Sequence, residues 1–148
     1  MDGLSQRDYT NLLEFRTALR RFESWSQEQA KQAGLTPAWH QLLLAVKGHP
    51  DRRGPTISEV AEYLNVRHHS VVGLVDRAAS SGLLLRCRDD NDARVVRLRL
   101  TDLAEQRIAA LSQLHIAELG RLAPILEHLI AEPVAPPQQG RLAAVRPR

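Results

Sequence analysis

Two short stretches carry side chains whose type and spacing could do chemistry. In the first, His68, His69 and Ser70 open a helical segment, and Gly73 and Arg77 continue one side of it. Imidazole, hydroxyl and guanidinium groups on a helix face are donors and acceptors for base edges, and a helix fits a major groove of roughly 12 Å. In the second, Asp92 and Arg94 stand two apart in an acidic turn, close enough for the carboxylate to hold the guanidinium out from the tip. An arginine presented in that way suits the narrow minor groove, whose potential attracts it. Arg88, just before the turn, is a further cation that could reach DNA. As imidazolium, His68 and His69 would strengthen a polyanion complex below roughly pH 6.5.

Other chemistries find less to work with. Cys87 is the only cysteine, so no intrachain disulfide is available and a cysteine-based structural zinc site is excluded in practice. Arg86 and Arg88 beside it favour a thiolate, and with it a redox switch, but in a strand those neighbours point to the opposite face. Cys87 is therefore expected to face inward as a small inert hydrophobe. His40, His49, His115 and His128 could serve a zinc sensor, yet no HExxH and no close i, i+4 pair is present, so no metal is expected. No glycine-rich phosphate loop, nucleophile elbow or apolar pair of carboxylates is found, and Ser80-Ser81 is explained by the helix end at Gly82. Neither catalytic residues nor a cofactor are expected.

The elements that must position the two stretches lie between Thr56 and Thr101. Thr56-Ile-Ser-Glu59 has capping-box spacing before Val60, Ala61 and Leu64, which predicts a helix to Leu64. Asn65-Val66-Arg67 forms the turn, and a second helix runs from His68 to Ser81, with Val71, Val72, Val75 and Ala79 inward. From Leu83 to Arg88 and Val95 to Leu100 the period switches to alternation, with Val96, Leu98 and Leu100 packing and Arg97 and Arg99 forming a cationic face. The tip between them, residues 89–94, holds three carboxylates that would repel phosphate unless neutralised internally. A helix-turn-helix followed by a hairpin is a winged helix, and winged helices most often bind DNA.

Long amphipathic stretches flank this unit. Leu12, Phe15, Leu19 and Phe22 mark a helix from about Asp8 to Ala33, long and apolar enough to be shared with a second subunit. Thr36-Pro37 starts a further helix reaching Lys47, and residues 48–55 read as a loop with Arg52 and Arg53 as solvated charges. After the Thr101-Asp102 cap, Leu111, Leu114, Leu122, Ile125 and Leu129 repeat at helical spacing towards Ala131. Gly120 and Pro124 are expected to divide that stretch into two shorter helices. The chain has 148 residues, 43% of them hydrophobic, a net charge of +3 and a pI near 9.6, and only Lys31 and Lys47 are lysines. That mild basic bias fits a polyanion partner. No apolar run is long enough to span a bilayer, and the start lacks a signal-peptide core, so a cytoplasmic protein with no membrane partner is expected.

The residues resemble the multiple-antibiotic-resistance regulator (MarR) family of bacterial winged-helix regulators. The resemblance covers about residues 35–129 and rests on three ordered features: Leu35-Thr-Pro-Ala, then Val71-Val-Gly-Leu-Val-Asp-Arg77 with Gly82-Leu, then Asp92-Ala-Arg94 with Val96-Arg-Leu-Arg-Leu-Thr101. It implies a homodimer with interlocked terminal helices, which binds a pseudo-palindromic double-stranded DNA operator. It also implies a small aromatic or phenolic effector in a cleft between the dimerisation helices and the DNA-binding lobe, with Arg16, Trp39, His40 and Tyr63 as lining groups. The chain departs from the family pattern where a basic residue is usual and Gly73 stands, and where a second arginine is common and Ala93 stands. Arg67, His68, His69, Ser70 and Arg94 are then expected to carry more of the contact. A long final helix gives way to a Pro-rich tail.

The reading is of a mainly α protein with a small β-hairpin wing (α+β): an N-terminal dimerisation helix in 1–34, a winged helix-turn-helix DNA-binding domain in 35–101, C-terminal dimerisation helices in 102–132 and a flexible tail in 133–148. The function expected is a ligand-responsive repressor. A winged helix used only for protein contacts is the first alternative, and an enzyme with unrecognised chemistry is the second.

Overall fold

The computed structural model describes residues 3–131, and the tail expected over 133–148 lies outside them. Five helices and one antiparallel hairpin follow in the order α1 (Gln6–Gln32), α2 (Pro37–Gly48), α3 (Ile57–Leu64), α4 (His68–Ser80), β1 (Leu84–Arg88), β2 (Val96–Leu100) and α5 (Asp102–Ile130). This is the mainly α winged-helix arrangement that the sequence predicts.

Local chemistry sets most of the boundaries. α1 begins earlier than its apolar stripe implies, because Ser5 caps it and Asp8 returns a carboxylate to the Ser5 backbone. Thr36, Thr56 and Thr101 each cap a helix with the hydroxyl oxygen, and Glu59 completes a capping box at α3. Asn65 closes α3 in the left-handed region at φ 51°, a conformation that asparagine tolerates. Gly82, at φ 73°, closes α4 and lets the Leu83 amide donate back to the Ala78 carbonyl.

Leu42 and Leu43 of α2, Val60 of α3, Val71, Val75 and Ala78 of α4, Leu83, Leu84 and Leu98 of the hairpin and Ile108 and Leu111 of α5 form one core. The inner stripe of α4 is therefore 71, 75 and 78, with Val72 and Ala79 only half-buried. The loop of residues 49–55 is stitched to the wing and not loosely solvated. The Leu98 amide donates to the Pro55 carbonyl at 2.8 Å, and a β-carbon on Gly54 (φ 91°) would stand 2.0 Å from the Leu98 carbonyl oxygen. Only glycine permits that approach.

α5 is one helix of 29 residues with Pro124 inside it, not two shorter helices. The proline removes a single amide donor and its ring faces the carbonyl four residues back. That residue is Gly120, which has open space around it, and Leu122 between them is buried.

Candidate nucleic-acid interface

α4 presents its first turn to solvent. Arg67, at the N-cap, makes no side-chain cap, and Arg67, His68, His69 and Ser70 are all exposed. First-turn amides without a side-chain acceptor are suited to an anion. His69, Gly73 and Arg77 lie at i, i+4 and i+8 and so share one line along the helix. Asp76, the carboxylate on this side, pairs with Arg86 of β1, which offsets its charge and ties the hairpin to α4.

The wing closes the other side. Asp92 and Arg94 pair as the spacing predicts: Nε and Nη2 of Arg94 donate to the two carboxylate oxygens at 3.1 Å each, and the Arg94 amide donates to Oδ1 at 3.1 Å. The Arg94 side chain nevertheless stays 90% exposed, held but not hidden. Hydrogen bonding from Arg94 keeps the Asp92 carboxyl below the usual range and raises the Arg94 guanidinium above its own. His68 and Arg94 converge on one groove of about 320 Å³, with Thr56 and Ser58 from the start of α3 and Val96 from β2. Arg88 is exposed on β1, opposite Val96.

A second ion cluster was not visible from spacing. Arg97 donates from Nε to Asp89 at 2.5 Å and from Nη1 to the Gly54 carbonyl at 3.0 Å, and its side chain is 15% exposed. It is therefore not part of an open cationic face, although Arg99 is exposed as expected. Arg53 is exposed, as expected of a loop charge, but it is also ion-paired, holding Asp51 and reaching Asp89 at 3.3 Å. Bonds from Arg97, then from the Asn91 amide, hold the Asp89 carboxyl below the usual range, and Arg53 does the same to Asp51. Asp89 and Asp92 are thus the neutralised carboxylates of the tip. The one signal available was Asp89 itself, an acid placed directly after a strand of arginines.

The register of the hairpin also moves Cys87. Leu84 pairs with Leu100, Arg86 with Leu98 and Cys87 with Arg97, so Cys87 shares a face with Arg97 and Arg99 and not with the packed Leu98. It is half-buried there as a free thiol.

The proposed cleft residues have separate partners. Arg16 is exposed on α1, and Trp39 packs against the core. His40 is buried with its ring 4.8 Å from that of His115, which lies 4.9 Å from Trp25 and 5.8 Å from Phe22. The Leu111 carbonyl accepts from His115 Nδ1 at 2.8 Å, so a neutral ring accepts the Ser26 hydroxyl at Nε2, 2.7 Å away. Tyr63 is exposed and meets His49 at 2.8 Å, and His128 is exposed in the last turn of α5. Among the described residues no three His, Cys, Asp or Glu side chains gather as a metal's ligands, and no helix is long and apolar enough to cross a membrane.

Residues 33–95 match the model of the MarR family. Over 75 residues the chain is 33% identical to the HTH-type transcriptional repressor MdtR of Bacillus subtilis, a stretch that makes up 51% of this chain and 46% of that protein. The chain thus spans about half the length of this curated relative. The YusO protein of Bacillus subtilis has a similar structure, with a TM-score of 0.59 and 26% identity over 81% of this chain and 85% of that one. The MepR–DNA complex of Staphylococcus aureus shares the fold, with a TM-score of 0.65 and 18% identity over 84% of this chain and 86% of that one.

Proposed function

We propose, from the match of residues 33–95 to the MarR family model, that the chain is a transcription regulator of that family that binds duplex DNA as a homodimer in the cytoplasm. The observation that carries this reading is the convergence of His68 at the start of α4 and Arg94 on the wing around one groove. A helix start that meets base edges and an arginine held for the adjacent minor groove are the two halves of a winged-helix contact. Arg67, His69, Ser70 and Arg77 extend it along α4, and Arg88 and Asp92 support it from the hairpin.

The dimer is supported by apolar surface. Leu12 and Leu13 of α1 are 57% and 64% exposed, and Ile116 and Ile130 of α5 are 70% and 72% exposed. Side chains of that size in such number on paired terminal helices call for a covering partner, and a second copy supplies it with matched residues. Residues 1–34 and 102–132 then form the dimerisation region and residues 35–101 the reading head. Two heads on one dimer bind half-sites about one helical turn apart, hence a pseudo-palindromic operator.

Repression relieved by a small aromatic or phenolic anion is the regulatory form of this reading, although Arg16, Trp39, His40 and Tyr63 do not line one cleft, since His40 packs on His115 and Tyr63 on His49. The reading assigns no chemical step to the chain.

The test is retention of a duplex from upstream of its own gene at low salt, followed by titration with salt. Neutralising Z phosphates gives a log–log slope near −0.9Z. A module that contacts only proteins shows no duplex affinity, and that result rejects the proposal.

A further inference from the structure

Asp89 is the most enclosed carboxylate of the wing, with its side chain 3% exposed, and its two oxygens do different work. Oδ2 accepts from Arg97 Nε at 2.5 Å and from Arg53 Nη1 at 3.3 Å, which fastens the wing to the loop before α3. Oδ1 accepts from the backbone amides of Asn91 at 2.8 Å and Asp92 at 3.3 Å, which sets the turn at the tip. Asp92 in turn accepts from the Arg94 guanidinium. One carboxylate therefore joins the base of the wing, the backbone of its tip and, through Asp92, the exposed arginine.

We propose that Asp89 is a positioning residue for DNA binding: it fixes the height and aim of Arg94 by holding the tip turn with one oxygen and the α2–α3 loop with the other. The inference rests on the DNA-binding reading and adds a role that runs against simple electrostatics. An acid within a DNA-facing tip repels phosphate, so on charge alone its removal tightens the complex. On the positioning role its removal loosens the complex. Asp90, next to it and exposed, follows the charge rule. Two neighbouring carboxylates are thus expected to respond with opposite sign.

The experiment uses the full chain and an A·T-rich duplex of about 30 base pairs at about 50 mM salt, where Arg–minor-groove contacts and phosphate binding are strong. Asp90→Asn should bind as tightly as the native chain or up to about threefold tighter, by the charge argument. Asp89→Asn should bind about tenfold more weakly, and the loss should vanish in an Arg94→Ala background, since residues that act through one another are not additive. Unchanged or tighter binding by Asp89→Asn overturns the proposal, as does a loss of equal size with and without Arg94.

Amide exchange without DNA provides the second arm. In Asp89→Ala the Asn91 and Asp92 amides should exchange about tenfold faster, while Leu42 and Leu43 in the core keep their protection. Unchanged exchange at the tip overturns the proposal. Loss of protection throughout overturns it too, since Asp89 would then hold the fold and not the tip. A native chain that binds no duplex rejects the DNA-binding reading, and the exchange arm still judges the tip on its own.

Discussion

Arg77 lies back along α4 over Gly73, with Nη1 3.3 Å from the point where a β-carbon on Gly73 would stand. Helical side chains lean towards the N-terminus, so an arginine one turn on fills the space that a missing side chain leaves. The cation absent from position 73 is in part replaced from position 77. Gly73→Ala should stabilise the chain by roughly 0.5–1 kcal/mol, because glycine within a helix costs about that much relative to alanine. The flexible end of Arg77 must move by a few tenths of an ångström, so the preference at one base pair should change as well. Urea denaturation measures the first effect and binding to a panel of single-base variants the second. Unchanged preference removes Arg77 from the contact.

Arg94→Ala should weaken binding broadly, most of all at A·T-rich sites with a narrow minor groove, and leave the melting temperature unchanged. Its side chain is 90% exposed and supports nothing but its own ion pair with Asp92. Loss of one cation from the DNA contact lowers the salt slope by about 1. A fluorescence-anisotropy titration at three or more salt concentrations reads both quantities, and an unaltered slope excludes the contact.

The pair Asp92–Arg94 was legible in the sequence because two residues apart on a turn are neighbours in any conformation the turn can take. The same holds for the caps at Thr36, Thr56 and Thr101, which depend on a hydroxyl and the amides of the next turn. Arg97 was misjudged for the opposite reason. Its partners Asp89 and Gly54 are brought to it by the register of the hairpin and by the close approach of the α2–α3 loop. Neither constraint leaves a local signature. Register also decided Cys87, whose face follows from pairing with Arg97 and not from its flanking arginines. At Pro124 a local rule was sound but incomplete, since the helix tolerates one lost bond where Gly120 lies beneath the ring and Leu122 is buried.

His69→Ala should change which sequence is preferred more than how tightly DNA is held. The ring is exposed near the start of α4 on the line that leads to Arg77, where a base edge is within reach. A good base contact contributes about 1 to 3 kcal/mol of discrimination at one base pair. Selection of bound duplexes from a random pool by the native and variant chains compares the two preferences. A uniform loss across all sequences makes His69 a phosphate contact.

Stability should fall as the pH drops below about 6.5, where the buried histidine of the α1–α2–α5 junction begins to charge in the unfolded chain. Burial, and then the neighbouring His115, push the His40 imidazole below its ordinary value. A group with a depressed folded value takes up a proton on unfolding, so stability is fully present above the unfolded value and is lost as pH falls towards the folded one. One proton gives a slope of up to about 1.4 kcal/mol per pH unit within that window. Urea denaturation at pH 7.5, 6.5 and 5.5 measures it, and His40→Phe, which keeps an aromatic ring against His115, should flatten the slope. If the variant's pH dependence matches that of the native chain, His40 takes up its proton at the same pH folded and unfolded, and the source of any acid lability lies elsewhere.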